Sequence, residues 1–156
     1  MTINCYSKLK KTYSLPDEKE LVERLEIEVK KDQDAALLIQ NIRNDVLDKL
    51  YGLMKTVESI LFTNEGSDAG LLYQEHMVSD VLKEGFNLYK KLNELYYSGM
   101  KLNFKHDRKK DSEFINEIFN LWPELEKGLI LFFEALENGW KVMDINKEMK
   151  PENYHG

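Results

Sequence analysis

From Ala35 to Phe62 the apolar residues fall at 35, 39, 42, 46, 50, 53, 57 and 60, a spacing of three or four with no gap. At about 100° per residue, Ile39, Ile42, Val46, Leu50, Leu53, Val57, Ile60 and Leu61 share one side, while Asn41, Asn44, Asp45, Asp48, Lys49, Lys55 and Ser59 take the other. The pattern predicts a long amphipathic helix around which the chain is organised. One residue breaks the division: Arg43 projects into the middle of the apolar arc.

Three further stretches carry the same period. Ser14 with Asp17 three residues on has the form of a capping box, and Pro16 sits in the first turn, where a missing N–H does no harm. Helix one is expected over 15–31, with Leu21, Val22, Leu25 and Val29 inward. Helix three is expected over 69–98, after the turn chemistry of 63–68, with a stripe through Met77, Val78, Val81, Leu82, Leu88, Tyr89, Leu92, Leu95 and Tyr96. Gly85 lies at the centre of that arc, which makes sense if a bulky side chain or another helix comes close, and Ser98-Gly99 supplies a stop. Helix four is expected over 112–138, from Asp111 or Ser112 to Asn138-Gly139. Its stripe of Phe114, Ile118, Trp122, Leu125, Leu129, Phe132 and Leu136 keeps phase across Pro123, so one kinked helix fits better than two.

The junction between helices one and two is less plain. Lys30 to Asp34 contains neither glycine nor proline, and a continuous helix from 15 to 62 would be about 70 Å long. Such a rod would leave the stripe of helix one uncovered and would predict a homodimer. We take the break, with Asp34 as the cap of helix two. The expected fold is an all-α antiparallel bundle of four main helices forming one domain. It has a weakly docked N-terminal arm over 1–13 and a short C-terminal extension over 140–156.

Composition narrows the classes. At 156 residues, 32% charged and 11% aromatic, the chain belongs with folded proteins that need no metal or disulfide to hold a core. The single cysteine, Cys5, points to a reducing compartment, and no apolar run suggests a signal peptide or membrane span, so a cytoplasmic location is expected. A net charge of −6 argues against nucleic acid as a partner. Seven carboxylates against Lys127 between Asp111 and Asn138 make helix four acidic on its wet side. The basic residues Lys105, His106, Arg108, Lys109 and Lys110 cluster in the loop expected over 100–111.

Catalytic motifs are absent from the sequence. There is no Gly-x-Ser-x-Gly elbow, no Walker loop and no Gly-x-Gly-x-x-Gly. His76, His106 and His155 are too scattered for a metal site of ordinary spacing, and none completes the Glu-x-x-His of a carboxylate-bridged pair. Neither a cofactor nor a metal is expected. Glu20, Glu23 and Glu26, with Asp45 and Asp48 on the next helix, resemble the helical carboxylate clusters with which all-α nucleotide pyrophosphohydrolases hold magnesium. That resemblance covers five residues, which fall on the polar sides of their helices, and it implies a magnesium-dependent hydrolase as one alternative.

Arg43 asks for a carboxylate, a route to water or a partner. Glu126 stands on the apolar side of helix four and is the leading candidate, with Glu58 and Glu137 at arc edges. Trp140, Met143 and Met149 could form an adaptable apolar patch. The leading expectation is a non-catalytic regulatory or adaptor protein, of inhibitor, immunity-protein or chaperone type, that binds a protein partner. Arg43, Glu126, Trp140 and Met143 are its candidate binding residues. A small-ligand sensor with a pocket inside the bundle, resting on Arg43 and Gly85, is a further alternative.

Overall fold

A computed structural model describes residues 4–62 and 79–142. Five helices follow in order: α1 (Cys5–Tyr13), α2 (Glu18–Leu25), α3 (Ala35–Leu61), α4 (Ser79–Met100) and α5 (Arg108–Val142), with a 3-10 turn over Lys101–Asn103. The turn expected at 63–68, the first part of helix three with His76, Met77 and Val78, and the extension from Met143 onward lie outside the described residues.

The three long helices alternate in direction. Arg43 meets Asn103, Leu47 lies against Gly99, Tyr51 against Tyr96 and Leu61 against Gly85, which sets α3 and α4 antiparallel. Phe114 against Gly99, Leu88 against Gly128 and Phe132 against Gly85 do the same for α4 and α5. The all-α bundle is therefore observed: among the described residues the four expected helices are α2 to α5, and α1 is a further short one. Ile39, Ile42, Val46, Leu50, Leu92, Ile115 and Ile118 fill the space between the long helices, all buried. The expected close approach at Gly85 is Phe132, whose ring lies 2.7 Å from where a Cβ would stand.

The N-terminal segment is no loose arm. Tyr6 and Leu9 of α1 are buried, and the Tyr6 hydroxyl donates to the Pro16 carbonyl at 2.6 Å, stapling α1 to the chain ahead of α2. Burial, with the carboxylates of Asp17, Glu18 and Glu20 adding to it, raises the Tyr6 pKa well above its ordinary 10.0. An unfolded tyrosine ionises near that ordinary value while the folded one keeps its proton. Stability is therefore lost as pH rises above about 10. Tyr6→Phe is expected to lower stability at neutral pH by about 1–2 kcal/mol and to flatten this alkaline loss, as read by urea titrations at several pH values.

Helix one is shorter than its pattern suggested. Ser14 is the left-handed end of α1 (φ 53°), and the capping box at the start of α2 is Asp17 with Glu20 instead. Helix α2 stops at Leu25 because Glu26 turns left-handed (φ 54°). There the Glu26 N–H reaches the Val22 carbonyl at 3.0 Å, the closure of an αL cap, and the Ile27 N–H reaches the Leu21 carbonyl at 3.2 Å. Beyond it the chain is extended enough for Leu25, Ile27 and Val29 to be buried while Glu26, Glu28 and Lys30 are exposed. Asp34 then caps α3, accepting from the Leu37 N–H at 2.9 Å, so helices one and two are separate.

The far boundaries also differ. Gly99 does not stop α4, because its missing side chain is filled by Phe114 and Leu47 while the helix runs on to Met100. Helix α5 begins at Arg108, four residues before Ser112, since Asp107 accepts from the Lys109 and Lys110 N–H groups at 2.9 and 3.2 Å. It passes through Pro123 and through Asn138-Gly139 to Val142. Ser14 occupies a conformation that favours glycine, so Ser14→Gly is expected to raise stability by about 0.5–1 kcal/mol, seen as a higher melting temperature.

Candidate functional site

Arg43 lies in the third turn of α3 among Ile39, Val46 and Leu47 and is 1% exposed. Its guanidinium is carried to the end of the bundle where α4 gives way to α5. There Nε stands 2.9 Å from Asp111 Oδ1, and Nη1 donates to Asn103 Oδ1 at 2.5 Å. The Nε–H does not point along the line to Oδ1, so that contact is one of opposite charges rather than a linear hydrogen bond. Asp111 is as buried as Arg43. Burial raises its pKa above the ordinary carboxylate value, and nearby Asp107 adds to the rise, against the lowering by Arg43 and by His106.

The expected partner, Glu126, is not used. Helix α5 runs alongside α3 in the same direction, and the level of Arg43 corresponds to Asp111. Glu126 lies 15 residues further on, about 22 Å along the axis, and its side chain is exposed. Glu58 pairs instead with Lys55 at 2.6 Å and Glu137 with Lys141 at 2.7 Å. The signal for Asp111 was present in the sequence. It stands three, four and seven residues before Phe114, Ile115 and Ile118, on the same inward stripe.

Arg43 thus ties three elements together: α3, the 3-10 turn through Asn103, and the first turn of α5 through Asp111. Between the last two runs a short connection, Phe104–Asp107, in place of the longer loop expected over 100–111. At its start Phe104 is 90% exposed, the most exposed large apolar residue among those described. Tyr97, one turn back on α4, is 61% exposed. Two clefts flank the ridge from Ser98 to Lys101. One, of about 570 Å³, is lined by Tyr97, Met100, Phe104 and Glu94. The other, of about 460 Å³, is lined by Leu102, Phe114, Lys101, Lys105 and Lys110, with Glu113 and Glu117 also on its wall. Among the described residues these three lysines make no ion pair.

The remaining candidates are elsewhere. Trp140 is on the last turn of α5, half-exposed, at the opposite end of the bundle from Phe104; Met143 and Met149 lie outside the described residues. Of the five carboxylates in the magnesium-type set, Glu20 closes the cap of α2, and Glu23 pairs with Lys19 at 3.5 Å. Glu26, Asp45 and Asp48 share a cleft of about 710 Å³ with Glu28, Lys30, Lys49 and Trp122. There Lys49 holds Glu26 at 2.5 Å and lowers its pKa through that hydrogen bond, while burial raises that of Asp45 against the pull of Lys30. Among the described residues no three His, Cys, Asp or Glu side chains are grouped so as to hold a metal ion, and no helix is long and apolar enough to cross a membrane. The two residues that suggested an internal pocket are both engaged, Arg43 by Asp111 and Gly85 by Phe132.

No protein-family model, no curated protein and no solved structure matches the chain.

Proposed function

We propose that this is a non-catalytic regulatory or adaptor protein that works by protein–protein contact through the corner where α4 meets α5. The observation that carries the reading is Phe104, held out in water by a connection that a buried arginine fastens on both sides. Covering a phenylalanine side chain releases about 1.5–3 kcal/mol. A projecting aromatic on a rigid base is the usual form of an interface anchor, since little conformational freedom remains to be lost on binding. Arg43 enters this reading as the strut beneath the surface, and Glu126, Trp140 and Met143 have no part in it.

Affinity capture from the native host with wild type and Phe104→Ser side by side tests it. A partner retained by the wild type and depleted at least tenfold by Phe104→Ser is expected, with an unchanged melting temperature because the side chain touches little of its own chain. Equal retention by the two proteins would refute the assignment.

A further inference from the structure

We infer that the partner recognises this corner through an acidic segment carrying apolar side chains, an inference that rests on the corner being the binding surface. Residues 101–110 hold five lysines and arginines against the lone Asp107, a net charge of +4 within a chain of net −6. Folding brings three of those five cations together beside one apolar centre. Lys101, Lys105 and Lys110 converge on the cleft beside Phe104, without ion-pair partners among the described residues, while Tyr97, Met100 and Phe104 line the adjoining one.

Positive groups around an exposed aromatic complement carboxylates flanking an apolar residue. The charges then steer encounter and the aromatic sets the residence time. An anionic membrane would answer the lysines and Phe104 as well, but Glu94, Glu113 and Glu117 stand in the same clefts and would face the lipid phosphates. A protein segment can set backbone N–H groups or apolar side chains opposite them and keep its carboxylates for the lysines.

The test is a titration of the isotope-labelled full chain, followed by amide chemical shifts. The probes are a synthetic amphipathic Glu/Leu peptide, its Gln/Leu counterpart, and equimolar phosphatidylserine/phosphatidylcholine vesicles. The Glu/Leu peptide is expected to shift amides between Tyr97 and Glu117 and to bind at least tenfold more tightly than the Gln/Leu peptide. It should weaken at least tenfold in Phe104→Ser, in the triple variant Lys101→Gln, Lys105→Gln, Lys110→Gln, and at high salt. Equal binding of the two peptides, shifts confined to another face, or binding of vesicles and neither peptide would overturn the inference. If the peptide fails while capture still depends on Phe104, the partner's acidity is wrong and the binding surface stands. If capture ignores Phe104, both fall.

Discussion

Arg43→Met is expected to destabilise the fold by about 3–5 kcal/mol, because it leaves the Asp111 carboxylate buried opposite a methyl group. For a chain of this size that is a fall in melting temperature of about 6–20 °C. The companion variant decides the cause. Asp111→Leu in the Arg43→Met background removes both charges, and it should recover most of the loss or exceed the wild type, since two desolvated charges give way to apolar packing. A double-mutant cycle by chemical denaturation reads the coupling directly. Its pH dependence has a definite sign. The folded Asp111 pKa is raised above its ordinary 3.8, so the folded state holds that proton more tightly. The contribution is fully present below that ordinary value and is lost as pH rises through the folded one, and it vanishes in the double variant.

Two glycines on helices are expected to respond in opposite directions. At Gly99 a Cβ would overlap Phe114 Cζ and stand 2.5 Å from Leu47 Cδ2, both in the packed core. Overpacking there costs about 1–3 kcal/mol and exceeds the gain in helix propensity of about 1 kcal/mol, so Gly99→Ala should destabilise. At Gly52, also helical, a Cβ meets nothing within 4 Å, and Gly52→Ala should stabilise by about 1 kcal/mol. Thermal melts of the two variants, measured together, give the comparison. A stabilising Gly99→Ala would mean that α4 and α5 do not approach as described.

What the sequence made legible follows from how each signal is encoded. Helix α3 was readable to within a residue at its far end, because a long uninterrupted period and an Asp cap are both local. The stripe of α5 likewise survived Pro123. Arg43 stood out because a charge in an apolar arc is a local contradiction, but its partner depends on the level at which two helices run past each other, which a wheel does not show. Glu126 satisfied the wheel and failed the axial level. The end of α2 carries a signal that a second one overlies: Leu25-Glu26-Ile27-Glu28-Val29-Lys30 alternates with period two, the mark of an extended segment, while Leu25 and Val29 also fit the helical stripe. Gly99 is ambiguous in sequence because glycine serves both as a helix terminator and as a place for close packing, and only the neighbours distinguish these uses. Phe104 gave no signal at all. A phenylalanine in a basic loop is ordinary in composition, and its meaning comes from its 90% exposure, which only the folded chain shows.

The most direct measurement is site-specific photocrosslinking in the native host, with a benzoylphenylalanine placed at Phe104 and, in a separate variant, at Glu126. A discrete protein adduct from position 104 and none from position 126 is the expected result, with the adduct's partner peptide rich in Asp and Glu. Adducts from 126 and none from 104, or only lipid adducts at 104, would contradict a protein-binding corner between α4 and α5.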